Sequence, residues 1–353
     1  MTVHEFSLAN VRCIEEAELE FGPGLTLIHG DNGSGKTSIL EAIFLLGRGR
    51  SFRTRNSERL IRRGAEMLRV VGTVSGGSGD RRTVGIEVRA GSVAARLAGN
   101  PVESLAELSQ VFPVQIIEPG VHRLIEEGGH RRRRWMDWAV FHVEPHFADT
   151  WTRYTRAVRQ RNAALRADPA HASVWDPEIS RLGEEIAQAR GRSMEALQPH
   201  WEEAVAELSG LPVQLHYLRG WGADLSLAEA LRASEARDAL RKMTHAGPHR
   251  ADVSVRLLGR PAREVLSRGQ QKLVAVAMTV AQLRLLQAQA GTMPTLLLDD
   301  PAAELDGEKL TRFIGQVKQL RSQLIMASLS PGSRLFGAPE RTFRVDQGRV
   351  QPV

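Results

Sequence analysis

Eight consecutive residues combine glycines with a lysine and a threonine in the spacing that phosphate binding requires: Gly30, Asp31, Asn32, Gly33, Ser34, Gly35, Lys36 and Thr37. Glycines let the backbone curl so that successive N–H groups point at phosphate oxygens, and a helix that begins there adds the positive end of its dipole. Lys36 would reach the β- and γ-phosphates, and the Thr37 hydroxyl would hold Mg²⁺. The pattern predicts a nucleoside triphosphate site.

Two adjacent carboxylates, Asp299 and Asp300, directly follow the apolar stretch 295–298. Beside a phosphate loop, a buried strand that ends in acids is typical of a Walker B site. Asp299 would belong to the Mg²⁺ shell, and Asp300 would orient or polarise the attacking water. Lys36, Asp299 and Asp300 are therefore the candidate catalytic residues, and Thr37 and Asp299 are the candidate Mg²⁺ ligands.

Two further positions could contact nucleotide. Ser267, Gly269 and Gln270 open a long apolar-rich segment, where Ser267 is a natural N-cap and the turn exposes N–H groups at a helix N-terminus. Arg12 lies in a turn between two predicted strands, one strand before the phosphate loop. The sequence leaves open whether Arg12 reaches a nucleotide phosphate or is only solvated.

Local patterns predict the elements that would position these residues. Alternation and short apolar runs predict strands at residues 2–9, 15–21, 25–28, 68–74, 82–89, 93–98, 111–117, 253–257, 295–298 and 323–329, and a hairpin across 343–350. Apolar spacing of three and four residues predicts helices after the phosphate loop and at 147–165, 179–208, 226–243 and 271–289. The middle helices predict an antiparallel helical arm inserted into an α/β domain.

The 353 residues carry a net charge of +6 and a single cysteine. One cysteine excludes an internal disulfide and a zinc site built on cysteines. The mild basic excess favours a polyanionic partner. Because no signal pattern opens the chain and no apolar run approaches the length of a membrane span, we expect a cytoplasmic protein without a membrane partner.

Arginine-rich segments are the candidates for DNA contact. Arg50, Arg53 and Arg55 lie in a loop with one aromatic residue, a composition that suits phosphate or nucleic acid. Arg132 and Arg133 lie in a run of four arginines. In both segments the alternative is an ordinary solvated charge cluster.

The order of these motifs resembles the ABC-type ATPases, and the helical insertion resembles their SMC-like branch. Within that branch, the chain looks nearly end to end like the RecF family of bacterial recombination mediators. The most specific pieces are Ser51-Phe52-Arg53, the Arg132-Arg133 to Asp137 segment, and Gly247-Pro248-His249-Arg250 with Asp252. Also alike are Leu266-Ser267-Arg268-Gly269-Gln270 and Leu298-Asp299-Asp300 through Glu304-Leu305-Asp306.

The resemblance implies an α/β fold: an ABC-type ATPase head, with a P-loop sheet, helices and an antiparallel β-subdomain, and an inserted antiparallel helical arm. The implied division is ATPase lobe I at 1–120, the arm at 121–243 and ATPase lobe II at 244–353. It also implies ATP and Mg²⁺ as cofactors and an ATP-dependent homodimer, with Ser267, Gly269 and Gln270 facing the nucleotide of the other subunit. Partners would be double- and single-stranded DNA, RecO and RecR, in loading RecA at gaps.

Departures from the family pattern bear on the rate of hydrolysis. The second carboxylate is Asp300 rather than Glu, and Ser328 or Ser330 stands where many ABC ATPases have a switch histidine. We therefore expect a slow, DNA-stimulated ATPase in which ATP acts mainly as a dimer clamp. The alternatives are an SMC-like structural DNA clamp and the ATPase subunit of a transporter.

Overall fold

The computed structural model describes residues 1–76, 79–291, 293–303, 307–331 and 335–353. Its strands are β1 Thr2–Val11, β2 Ile14–Glu20, β3 Leu25–His29, β4 Met67–Ser75, β5 Arg81–Arg89, β6 Ser92–Leu97, β7 Asn100–Pro101, β8 Val114–Ile117, β9 Val213–Leu218, β10 Asp252–Leu257, β11 Arg260–Pro261, β12 Thr295–Asp299, β13 Leu324–Ser328, β14 Arg341–Asp346 and β15 Arg349–Pro352.

The α-helices, in chain order, are α1 Lys36–Arg48, α2 Leu105–Val111, α3 Arg123–Glu126, α4 Gly129–Val143, α5 Phe147–Ala167, α6 Asp176–Ser209, α7 Leu227–Arg241, α8 Ala262–Val265, α9 Arg268–Ala290 and α10 Gly307–Gln319. The chain divides into two compact units. Unit 1 comprises Met1–Val121 and Gly291–Val353, and unit 2 comprises His122–Ala290.

Unit 1 contains two six-stranded sheets. The first is antiparallel, in the order β2-β1-β4-β5-β6-β7. Strand β2 shows why it forms: Ala17 and Leu19 are buried while the alternating Glu16, Glu18 and Glu20 are exposed, the period of two that a half-buried strand requires. The predicted strands at the start of the chain and in the meander are confirmed.

The second sheet of unit 1 positions the candidate site. Its order is β15-β14-β3-β13-β12-β8, and all neighbours except β14 and β15 pair in parallel. Strands β3 and β13 are buried throughout, as expected for strands covered on both faces. Because β3 and β12 run parallel on either side of β13, the loop after β3 and the acids that end β12 lie at one edge of the sheet. Helix α1, buried over most of its length, packs against both sheets.

Unit 2 is mainly helical. The 34-residue helix α6 packs along α5 and α9, and α4 packs against α6 and α9. A small antiparallel sheet, in the order β11-β10-β9, completes the unit. The unit runs to Ala290, whereas the predicted arm ends at residue 243, because α9 shares its packing surface with α6. The three-part division into lobes and arm stays a prediction.

Two local details differ from the sequence expectation. The strand predicted at 111–117 is shorter, Val114–Ile117, because Ser104 and Glu107 form a capping box that starts helix α2 before it. Among the described residues, one helix, α9, is long and apolar enough to cross a membrane. However, 72% of its most apolar window is buried inside the protein, as in a core helix, so it is weak evidence for a span.

Candidate nucleotide site

The loop between β3 and α1 has the backbone of a phosphate cradle. Gly30, Gly33 and Gly35 have φ angles of +153°, +77° and +121°, which side-chain-bearing residues rarely adopt. A Cβ atom at Gly30 would lie 2.1 Å from the carbonyl oxygen of Val345. Asp31, Asn32 and Gly33 are exposed at the tip, in contrast to the buried residues 34–36 that follow them.

Lys36 is folded over the loop that precedes it. Its buried ammonium donates to the carbonyl oxygens of Gly30, at 2.7 Å, and Asp31, at 2.8 Å. Burial lowers the pKa of Lys36, and the nearby carboxylates of Asp300, Asp299 and Asp31 oppose that shift. The lysine is thus the positive centre of an acidic, partly desolvated pocket.

Thr37 and Asp299 meet across 262 residues of sequence. The threonine hydroxyl donates to Asp299 Oδ1 at 3.1 Å and lies 3.2 Å from Oδ2. Burial raises the pKa of Asp299; the hydrogen bond from Thr37 and the charge of Arg53 act in the opposite direction. Asp300 has a φ angle of +47°, and its N–H donates to the carbonyl of Ala327 at 3.0 Å.

These oxygens fit Mg²⁺. The Thr37 hydroxyl and an Asp299 carboxylate oxygen are close enough to share one ion, and both are the hard ligands that Mg²⁺ prefers. Among the described residues, no group of three or more His, Cys, Asp or Glu could hold a metal, so phosphate oxygens and water would complete the shell. Within the same described part, the buried Ser34 hydroxyl has no hydrogen-bond partner, and a phosphate oxygen would supply one.

Arg12 is engaged inside unit 1. Its Nε and Nη2 atoms donate to the two oxygens of Glu41, both at 3.0 Å, and Nη1 donates to the carbonyl of Arg59 at 2.8 Å. Glu41 lies on α1 and its side chain is fully buried. Arg12 would have to release this carboxylate to reach a phosphate, and that contact stays a prediction.

Glu41 is a residue that the sequence analysis missed. Besides Arg12 it accepts a hydrogen bond from the Ser51 hydroxyl, which in turn accepts the backbone N–H groups of Arg53 and Thr54, both at 3.0 Å. The carboxylate thereby ties the helix of the phosphate loop to the arginine loop, residues 49–55. The available signal was a lone acid in an otherwise apolar helical run, residues 39–46.

The arginine loop presents charge to solvent. Arg53 and Arg55 are exposed and Arg50 is half-buried. Phe52, the aromatic residue of the loop, points inward and meets Phe44 of α1 edge-on, with 5.4 Å between ring centroids. The influence of Arg53 on the pKa of Asp299 also places one arginine of this loop in the electrostatic environment of the candidate site.

Arg132 and Arg133 are directed into unit 2. Arg132 makes a two-pronged contact with Asp252, at 2.9 Å for each hydrogen bond, and Arg133 donates to the carbonyl of Ala251 at 2.7 Å. The Arg132 side chain is only 11% exposed. Because these guanidinium groups already bind protein acceptors, we do not carry the predicted DNA contact of Arg132 and Arg133 forward.

The residues at the start of α9 form an exposed helix cap in unit 2. Ser267 N–H donates to Gln270 Oε1 at 2.9 Å, and Gln270 N–H lies 3.4 Å from Ser267 Oγ, a reciprocal capping box. Ser267 and Gly269 are exposed, and the space beside Gly269 is open. The predicted Glu304-Leu305-Asp306 segment lies outside the described residues.

Comparison with known proteins gives one consistent result. The sequence profile described as "RecF/RecN/SMC N terminal domain" matches residues 2–349. A protein of Shewanella baltica named "DNA replication and repair protein RecF" is 35% identical over the full length of both chains. The protein of the same name from Pseudomonas aeruginosa is 38% identical, covering 99% of this chain and 97% of its own.

Solved structures agree with this result. A structure described as the recombination mediator protein RecF-ATP in the RecFOR pathway superposes with a TM-score of 0.91 at 26% identity, covering 99% of this chain and 97% of the other. An SMC head bound to the C-winged helix domain of ScpA, at 17% identity and a TM-score of 0.60, shares the fold. The predicted fold class is confirmed, and family membership implies ATP hydrolysis. The chain belongs to the RecF family, in the SMC-like branch of the ABC-type ATPases.

Proposed function

We propose that this chain is a slow, DNA-stimulated ATPase that dimerises on ATP and acts in DNA replication and recombinational repair. The observation that carries the proposal is the hydrogen bond between Thr37 and Asp299, which joins the phosphate loop to the acid pair at one edge of a parallel sheet. Gly30 to Thr37 would bind ATP. Lys36 would neutralise the β- and γ-phosphates when it exchanges its two carbonyl partners for phosphate oxygens.

The acid pair would perform the chemistry of hydrolysis. Thr37 and Asp299 would hold Mg²⁺, which when bound offsets charge on the phosphates. Asp300, held by its backbone N–H at the end of β12, would orient the attacking water. An aspartate reaches less far than a glutamate from the same backbone position, so we expect turnover below about one per second.

Dimerisation would place the exposed α9 cap of one subunit against the nucleotide of the other. Ser267 and Gly269 offer a hydroxyl and an uncrowded N–H at a helix N-terminus, a natural site for a γ-phosphate. A ligand shifts an equilibrium only through contacts that differ between its states. Contacts made only in the dimer would let ATP favour the dimer.

DNA would bind through the exposed arginines of the arginine loop by contacts to backbone phosphates. The relatives named as DNA replication and repair proteins, and the related structure described in the RecFOR pathway, support a role in DNA repair. Within that role, the chain would act with RecO and RecR in loading RecA at single-strand gaps. Such a protein would work on double- and single-stranded DNA in the cytoplasm.

The proposal is tested by the mass of the full-length chain in light scattering, with and without ATP and Mg²⁺. We expect the wild type to double in mass with ATP. Ser267→Arg should bind ATP with wild-type affinity yet stay monomeric, because the larger side chain fills the space for the second subunit's phosphate. Lys36→Arg should need more ATP to dimerise.

Three outcomes would contradict this scheme. If the mass of the wild type did not change with ATP, the proposed dimerisation switch would be wrong. A dimer that also forms without ATP would favour the structural-clamp alternative. Normal dimerisation of Ser267→Arg would remove the role of Ser267 across the interface while leaving ATP binding intact.

A further inference from the structure

Two segments of unit 2 have no task in the proposed function, although both are tied into the packing of that unit. They are residues 132–137 and 247–252. The structure brings them together: Arg132 Nε and Nη2 bind the two carboxylate oxygens of Asp252, each at 2.9 Å. Next to this pair, Arg133 Nη1 donates to the carbonyl of Ala251 at 2.7 Å. Residues 120 positions apart are thus joined by a charge-assisted fork, the strongest common form of hydrogen bonding between side chains.

The same guanidinium also closes helix α3. Its third nitrogen, Nη1, donates to the carbonyl oxygens of Glu127, at 2.7 Å, and Leu124, at 3.2 Å. The last carbonyls of a helix have no partner within the helix, and a cation there also complements the helix dipole. Arg132 therefore fixes the end of α3 to the start of β10.

Helix α3 in turn packs against both helices that flank the exposed cap, α8 and α9. Glu126 is on the last turn of α3, and its Oε1 atom lies 3.7 Å from Nε of Arg268. Arg268 is the residue between Ser267 and Gly269. On the far side of the cap, Gln271 Nε2 donates to the carbonyl of Leu266 at 3.0 Å and so fixes the turn itself. A continuous set of contacts runs from Asp252 through Arg132 and α3 to the cap.

The other end of the 247–252 segment is also anchored. Arg190 donates to the carbonyl of Pro248 at 2.7 Å, and the His249 ring lies between the Tyr154 hydroxyl, at 2.7 Å, and the carbonyl of Thr244, at 3.0 Å. These contacts hold the 247–252 segment on the long helices α5 and α6. Asp252 therefore has a defined position, to which Arg132 attaches the end of α3.

We propose that Arg132 and Asp252 are positioning residues that set the α9 cap, Ser267 to Gln270, in the orientation needed to bind the nucleotide of a second copy of this chain. The inference rests on the proposed function, since it concerns the cap that is proposed to act across the dimer. It assigns the pair a task in dimerisation and none in binding ATP, because the phosphate loop belongs to unit 1.

The test uses two conservative variants of the full-length chain, Arg132→Lys and Asp252→Asn. Lysine keeps the charge but cannot form the fork, and asparagine keeps the shape but removes the charge. For both we expect ATP affinity, measured with a fluorescent ATP analogue, to stay within about twofold of wild type, and ATP-dependent dimerisation to weaken by about tenfold or more. Because the two changes remove one interaction, the double variant should be no weaker than the worse single variant.

Matched variants separate positioning from simple stability. Arg134→Lys, in the same run of arginines but exposed, should dimerise as the wild type does. All six tryptophans lie in unit 2, so their fluorescence reports whether that unit remains folded.

The outcomes are decisive in each direction. Weakened dimerisation with a native tryptophan spectrum supports the inference. Wild-type dimerisation of both variants overturns it and leaves the proposed function standing if Ser267→Arg still blocks the dimer. Loss of the native spectrum in both variants would make the pair a stability element and overturn the positioning role. A wild type that ignores ATP would overturn the proposed function and this inference together.

Discussion

The arginine loop of unit 1 and the run of arginines in unit 2, residues 131–134, carry similar charge but direct it differently. In the loop, Arg53 and Arg55 are exposed. In the run, Arg132 is almost enclosed and binds Asp252 through its fork. The first segment therefore presents arginines that a polyanion can reach, whereas Arg132 of the second segment binds a carboxylate of the protein itself.

The difference comes from what holds each segment in shape. The turn of the loop is closed by the Ser51 hydroxyl, which accepts two backbone N–H groups and donates to the buried Glu41. In the run, by contrast, Arg132 itself supplies the cap of α3 and the contact to β10. The described contacts that shape the loop thus come from a serine and a glutamate, whereas those that shape the run come from an arginine.

The ion pairs of unit 2 also differ in whether their arginine is buried or exposed to solvent. Arg190 and Arg192 lie two residues apart on α6, and each makes a two-pronged contact, with Asp137 and Glu144 respectively. The Arg190 side chain is 0% exposed and that of Arg192 is 59% exposed. Comparing the two contacts therefore tests how far burial determines the contribution of an arginine to the free energy of unfolding.

We expect the largest effect from the substitution Arg190→Ala. We expect it to lower the free energy of unfolding of unit 2 by about 3–5 kcal/mol, because it leaves the partly buried Asp137 carboxylate without its partner and removes a fully buried guanidinium. Burial already raises the pKa of Asp137, so its charge depends on Arg190. Urea unfolding followed by tryptophan fluorescence measures the change in unit 2 alone.

Arg192→Ala is the matched control for that measurement. Its contact has the same geometry but is open to solvent, so we expect a cost below about 1 kcal/mol. Equal costs for the two variants would show that burial does not separate structural from available arginines, and the comparison would fail.

A smaller effect is expected from pH, again in unit 2. Burial lowers the pKa of His249 from 6.5 to about 4. The unfolded chain then binds a proton at a higher pH than the folded chain, so stability is full above pH 6.5 and is lost as the pH falls toward 4. Between pH 7 and pH 5 the loss should be about 2 kcal/mol.

The measurement is urea unfolding by tryptophan fluorescence at the two pH values. His249→Gln should be less stable at pH 7 but should lack this acid-induced loss, because no imidazole remains to be protonated. An unchanged loss in the variant would assign the pH dependence to groups other than His249.

The nucleotide site was predictable because its signals are local. Fixed residues at strand ends identified Lys36, Thr37 and Asp299, and parallel pairing then brought them to one edge of the sheet. The alternation in β2 and the apolar stripes of α5 and α6 were predictable for the same reason. Helix α2 was missed although its capping box could be read from the sequence.

The partners of the arginines were not predictable. Nothing near Arg132 in the sequence identifies Asp252 as its acceptor, since the two are 120 residues apart and meet only through the packing of α4 on β10. The local sequence shows that an arginine is present, but it does not show which acceptor the fold brings next to that arginine. The run and the loop therefore received the same prediction of DNA contact.

The smallest expected effect is on the salt dependence of DNA binding. This measurement tests most directly whether an arginine contacts DNA or is bound by an acceptor in the protein. For duplex DNA, the slope of log K against log salt concentration changes by about one for each phosphate contact. We therefore expect Arg53→Ala and Arg55→Ala each to reduce the slope by about one. Arg132→Ala should leave it unchanged, when measured with saturating ATP at a protein concentration that keeps the dimer formed.

The slope separates the two segments because it counts released counterions and is insensitive to a uniform loss of affinity. Arg132→Ala can weaken binding through the dimer and still keep the wild-type slope, since its guanidinium is already held by Asp252. A reduced slope for Arg132→Ala would mean that the run also contacts phosphate. Wild-type slopes for both loop variants would place the DNA surface elsewhere, and the contrast between exposed and internally bound arginines would then say nothing about where this chain binds DNA.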